Sequence, residues 1–187
     1  EARRLDRDLR TLRSYNRAKM PDRERLSADV LEWFMADAQE ANRFMFHDYP
    51  VNQFEGLQSA LPDFMVNTHQ IHREKDALNY IARLSKFGAA IDQIIEGINV
   101  RRARGIVPPR FVIRRVLDQE RAFVAATPTA NVLYTHFEEE AGKLADLTPA
   151  RREALSGDIA RIIETVVYPA YRRLMATLTE METTATD

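Results

Sequence analysis

The chain has 187 residues, with 45% hydrophobic and 29% charged side chains, a net charge of −1 and no cysteine. That is apolar enough to build a core and too apolar for a disordered segment. The missing cysteines exclude a disulfide scaffold, thiolate zinc sites, iron–sulfur ligation and cysteine nucleophiles, and the near-neutral charge provides no global field toward nucleic acid or anionic lipid. No run approaches the eighteen apolar residues of a membrane span, and Glu1-Ala2-Arg3-Arg4 opens into charged helix rather than a leader.

Six glycines and the absence of alternating apolar and polar runs argue against a sheet. Leu5, Leu9 and Leu12 make one stripe of a first helix. Pro21-Asp22 interrupts it, and Ser27 is placed to cap a second helix with Asp29 in its first turn, running through Val30, Trp33, Phe34, Met35, Ala38, Ala41 and Met45 and ending before Pro50. Residues 47–58 read as an irregular loop. A short helix over 59–70 tolerates Pro62 in its first turn.

Asp76 is placed to cap a long helix over about 76–104, with Leu78, Ile81, Leu84, Ile91, Ile95 and Ile98 at helical steps and Gly105 as its stop. Pro109 starts another helix through Val112, Val116 and Phe123, and residues 130–145 form the next. Thr148-Pro149 opens a second long helix over 149–181, in which Pro169 should produce a kink or a division. The tail 182–187 offers no core residue and is expected to fray. The fold expected is all-α: a single helical domain over 1–187, a multi-helix array of six or seven helices with the two long ones as its spine.

Chemistry is sparse. The residues following the four histidines are Asp48, Gln70, Arg73 and Phe137, so no HExxH occurs. The residues three before each are Phe44, Val66, His69 and Leu133, so no Glu-x-x-His pair occurs either. His69 and His72 near Glu74, and His136 with Glu139 and Glu140, could gather around an ion, but a polar helix end and a solvated acidic face explain them as well. There is no nucleophile elbow and no glycine-rich phosphate loop. Nine Lys/Arg in residues 1–25 and seven Arg in 101–121 form basic patches, but residues 26–63 answer with seven acids against Arg43 alone. Pairing within the chain therefore accounts for them better than nucleic acid does. The cluster Trp33, Phe34, Met35, Phe44, Met45 and Phe46 exceeds what one helix face can bury. It reads either as a helix packed on several sides or as a surface for a partner.

Several segments recur together in one family. They are Tyr49-Pro50-Val51-Asn52-Gln53-Phe54-Glu55-Gly56-Leu57, Leu61-Pro62-Asp63-Phe64, the Asp76–Leu84 helix start with Tyr80 and Arg83, Gly105-Ile106-Val107-Pro108-Pro109, and Val167-Tyr168-Pro169-Ala170-Tyr171-Arg172-Arg173-Leu174. In this order and spacing, over about residues 5–180, the chain resembles the bacterial DUF885 family. The resemblance implies a mostly helical fold and a longer parent protein similar to helical zinc metallopeptidases, exported in some members and not in others. The family's metal-holding residues belong to a histidine-containing helix in the second half, so none carries over to a residue here. The chain is then expected to be the N-terminal helical half, a scaffold and substrate-cleft wall with no catalytic residue and no metal ligand of its own. Zinc is expected in a missing C-terminal half, and that half and a peptide are the expected partners. Asn52, Gln53, Tyr80 and Arg83 are the candidates to line the cleft, with turn capping and local structural contacts as the alternative roles. The competing reading is a stand-alone helical module that binds another protein.

Overall fold

The computed structural model describes residues 2–187. Among these the secondary structure is helical, with turns and loops between helices and no strand. Contacts divide the chain into two compact units, one ending at Asp48 and the other spanning Tyr49–Asp187.

The first unit is a helical hairpin. Helix α1 covers Ala2–Ser14 and α2 covers Asp22–Ala41. Between them Asn16 Oδ1 accepts from the Ala18 amide and caps a short 3₁₀ turn. Helix α2 starts at Asp22, five residues before the expected Ser27 cap. Pro21 fixes the extended entry, Asp22 and Glu24 place negative charge in the first turn, and the Ser27 hydroxyl instead donates to the Arg23 carbonyl at 3.0 Å. The helix also stops at Ala41, well before Pro50, and passes into a 3₁₀ turn over Asn42–Phe44. The hairpin closes on Leu9 and Ala28 and on polar ties: Glu32 accepts from Arg13 Nε at 2.8 Å and from an Arg17 guanidinium nitrogen at 2.9 Å, and Gln39 donates to Asp6 at 2.6 Å.

The second unit carries seven α-helices: α3 Leu57–Asp63, α4 Glu74–Leu84, α5 Phe87–Arg102, α6 Arg110–Ala125, α7 Val132–Ala141, α8 Pro149–Ile162 and α9 Tyr168–Glu182. The expected long helix over 76–104 is α4 and α5, separated by a turn at Ser85-Lys86. Its start is Glu74 rather than a cap at Asp76, whose carboxylate accepts from the His72 amide at 3.2 Å. Gly105 ends it with φ +75, and the Ile106 amide reaches back to the Arg101 carbonyl at 3.0 Å, the left-handed exit only glycine makes without strain.

The second long helix runs through α8, a π turn at Ile163–Val167, and α9. Pro169 explains the interruption. Its ring would crowd the carbonyl of residue 165 in an α ladder, and the wider turn shifts the register just before it. Thr148 caps α8 by accepting from the Arg151 amide, with Pro149 at the first helical position, as expected. Helices α5 and α6 pack on α9, and α4 and α7 pack on α8. The core between them includes Leu84, Ile91, Ile113, Leu133, Phe137, Leu155, Ile159 and Leu174. The tail expected to fray is tied down: Ala185 is buried in the core, and Arg110 donates to the carbonyls of Thr186 and Ala185 at 2.8 and 2.5 Å and pairs with Asp187.

Candidate functional site

The four residues expected to line a cleft are dispersed within the second unit. Asn52 Oδ1 accepts from the Phe54 and Glu55 amides at 2.9 and 2.8 Å, and its Nδ2 donates to the Tyr49 carbonyl, so its side chain shapes the loop. Gly56 lets that loop close. A Cβ there would sit 2.5 and 2.6 Å from the backbone O and N of Asn52. Gln53 lies on an open surface hollow with Phe54, Phe111, Arg115, Asp118 and Gln119, and its carbonyl accepts from Gln119 Nε2 at 3.1 Å.

Tyr80 is wholly buried in α4 and donates to the Leu133 carbonyl at 2.8 Å, and burial pushes its hydroxyl pKa up. Its ring packs between His69, at 5.3 Å between centroids, and Phe137, at 5.6 Å. Arg83 is exposed, lies over the Phe64 ring at 5.1 Å and donates to His69 Nδ1. A guanidinium can only donate, so His69 carries its proton on Nε2 and gives it to the Asp76 carbonyl at 3.0 Å. Burial, opposed by that carbonyl and aided by the Arg83 charge, pushes the His69 pKa below its ordinary value. His69 is therefore a neutral structural link between α4 and the segment before it.

The possible metal clusters dissolve in the same way. His72 Nε2 pairs with Gln70 Oε1 at 2.8 Å, and Glu139 and Glu140 both pair with Lys143. Among the described residues no group of three or more His, Asp or Glu side chains is arranged to hold a metal ion.

A different site comes together where α3, α6 and α9 meet. A cleft of about 330 Å³ is lined by Gln58, Ser59, Pro62, Gln119, Glu120, Phe123 and Tyr171. Pro62 has no N–H for the carbonyl of residue 58, four positions back, and the Tyr171 hydroxyl takes the vacant place, donating to Gln58 O at 2.5 Å. Gln58 Nε2 donates to the Asn52 carbonyl at 2.7 Å, while its Oε1 is buried with no partner.

Glu120 is 1% exposed, and neither carboxyl oxygen has a hydrogen-bond partner. Burial alone pushes its pKa up to about 8, so the group holds its proton at neutral pH. Burial pushes the Tyr171 hydroxyl pKa up as well, and Glu120, once ionised, adds to the shift. An unmatched buried carboxyl is costly and uncommon, and such groups mark candidate functional sites. Its signal stands in the sequence: Ile113, Val116, Leu117 and Glu120 follow one another at helical steps, which places an acid in the apolar stripe of α6. Gln58 and Tyr171 carry no such signal, because their roles depend on a proline and a contact 113 residues away.

No curated protein sequence matches the chain. Among solved structures it is similar to one described as "the putative lipoprotein from Colwellia psychrerythraea", with a TM-score of 0.73 and 26% identity over 74% of this chain. The chain spans about a quarter of that protein, 24% of its length. The family model "Bacterial protein of unknown function (DUF885)" matches residues 1–187, and the chain belongs to the DUF885 family.

Proposed function

We propose that this chain is a non-catalytic helical scaffold and one wall of the substrate cleft in a DUF885 metal-dependent peptidase or hydrolase. Zinc and the catalytic base would lie in other segments of a longer polypeptide, the C-terminal half expected from the sequence. The observation that carries this reading is the apolar face of α2. Leu26, Val30, Trp33 and Phe34 recur at helical steps and are between 58% and 70% exposed. A contiguous apolar face of that kind signals a surface that something covers. That the chain matches only a quarter of its structural neighbour supports further segments of the same polypeptide as the cover. The exposed face equally suits a stand-alone module that docks another protein.

The intact mass of the protein from its native source separates the two. A mass well above 21.6 kDa, with sequence continuing past Asp187, supports the scaffold reading. A mass of 21.6 kDa overturns it in favour of the docking module. On the same reading, equilibrium dialysis of the 187-residue chain finds no stoichiometric zinc, and a tight one-to-one zinc complex would contradict it.

A further inference from the structure

The α3–α6–α9 cleft is weighted toward acceptors. Each side-chain amide nitrogen spends one N–H within the chain, Gln58 Nε2 on the Asn52 carbonyl and Gln119 Nε2 on the Gln53 carbonyl. The Tyr171 hydroxyl is committed to the Gln58 carbonyl. The buried atoms of its lining residues that stay unmatched are oxygens: both of Glu120, and Gln58 Oε1, which is packed against Gly56. No base lines the cleft. The half-buried Phe123 ring adds an aromatic face, packed from behind by the buried Tyr171 ring at 4.7 Å between centroids.

A ligand that answers this wall brings several N–H donors and a positive charge. The donors match the two Glu120 oxygens, the charge matches an ionised Glu120, and the half-buried Phe123 ring favours a cation on its face. A hydroxyl brings a single donor, an ammonium three and a guanidinium five. A bare Ca²⁺ or Mg²⁺ is a poor match, since those ions take about six or more oxygen ligands.

We propose that this cleft binds a protonated amine or guanidinium group, with Glu120 as its counter-ion. The two Glu120 oxygens are closed to bulk water, so binding requires the Glu120 side chain to turn toward the cleft. The volume, about 330 Å³, lies at the small end of ligand pockets and suits one basic side chain or one peptide amino terminus rather than a large cofactor. The inference deepens the cleft-wall reading, and it rests on that reading only for the idea that a peptide carries the cation. Without ligand Glu120 is protonated, and a bound cation stabilises the carboxylate, so the proton leaves to the buffer as the ligand enters.

The test is calorimetric titration of the 187-residue chain at neutral pH, in phosphate and again in Tris. The probes are N-acetyl-arginine amide, alanine amide and, as a neutral isostere of the first, N-acetyl-citrulline amide. At least one of the two cations should bind in the millimolar range or tighter while citrulline amide does not. The apparent enthalpy should differ between the buffers by the release of close to one proton per ligand. Binding of the arginine probe alone assigns the site to a basic side chain, and binding of alanine amide alone assigns it to a peptide amino terminus. Glu120→Gln, with its fold checked by circular dichroism, should weaken binding by roughly tenfold or more and remove the buffer dependence.

Equal binding of citrulline amide, no binding of either cation at tens of millimolar, or the same enthalpy in both buffers would overturn the proposal. The buffer comparison uses the unaltered chain, so it stands even where the variant fails to fold. Neither readout depends on the intact mass, so failure here and failure of the scaffold reading are separate results.

Discussion

The α1–α2 hairpin and the Tyr49–Asp187 bundle use similar side chains differently. In the bundle Phe137, Leu133, Ile159 and Tyr171 are almost fully buried. Among the described residues of the hairpin only Leu9 and Ala28 are buried, while Trp33, Phe34, Val30 and Leu26 stay exposed. The hairpin is tied instead by surface ion pairs such as Arg13–Glu32 and Arg17–Asp29. Surface pairs of that kind contribute about 0–1 kcal/mol each, whereas a buried aromatic contributes several times more. Helical periodicity shapes both regions, but only facing helices hide an apolar stripe. The difference predicts that truncating a large apolar side chain has opposite consequences in the two units.

The largest effect is expected for Phe137→Ala in α7. Its ring packs against Tyr80 within the core, and its loss leaves a cavity that the long α8–α9 helix cannot fill by collapsing. Urea unfolding should show a loss of about 3–5 kcal/mol. A loss below about 1 kcal/mol would mean that the bundle interior is no better packed than the hairpin.

The next effect comes from Glu120 and depends on pH. Its carboxyl has an ordinary value of 4.5 and is raised to about 8 in the fold. Between those values the folded chain keeps a proton that the unfolded chain releases, so stability falls as pH rises through that window and levels off above it. Glu120→Gln removes the titration. At pH 6 to 9 its stability should be flat where the parent declines by a few kcal/mol, as followed by thermal melts across the range. A parent curve that is also flat would mean that water already reaches the carboxyl.

Tyr171→Phe comes third. The substitution keeps the ring against Phe123 but strips the hydroxyl from Gln58 O, a carbonyl already without its helical partner because of Pro62. A buried acceptor left unmatched costs about 1–3 kcal/mol. Hydrogen exchange should show the loss concentrated in α3. A loss spread evenly over the bundle would argue that the contact serves packing rather than the Gln58 carbonyl.

These contrasts also mark what could be read from residues alone. The helical spans over 76–104 and 149–181 were legible because their apolar steps of three and four persist for many turns and their ends carry local signals, Gly105 and Thr148-Pro149, but the turn at Ser85-Lys86 that divides the first carries no such signal. The start of α2 was not, since Ser27 and Pro21-Asp22 both make plausible openings and only the proline's fixed geometry decides between them. The π turn at Ile163–Val167 was illegible in detail. Pro169 announced a disturbance, but whether a helix kinks, divides or widens depends on the helices packed against it. Tyr80 and Arg83 looked like a pair on one helix face, yet one is swallowed by the core while the other stays exposed and holds His69. Glu120 was legible only as an acid in an apolar register, because the missing partner is a property of the fold around it.

The smallest effect is the one that most sharpens the contrast. Trp33 is the only tryptophan in the chain and is 70% exposed on α2. Trp33→Ser removes about as large an apolar surface as Phe137→Ala does, yet it should change stability by no more than about 0.5 kcal/mol, because a side chain already in water makes no cavity when removed. The unaltered chain should show emission typical of a hydrated indole and free quenching by acrylamide. Binding of a hydrophobic dye should fall in the variant. When the missing cover is restored, as a longer DUF885 polypeptide or as a separate partner, the emission should shift to that of a buried indole and the same substitution should become costly. A Trp33 that is already shielded from acrylamide in the 187-residue chain would mean that the hairpin face is covered within the chain itself, and the contrast between the two units would then disappear.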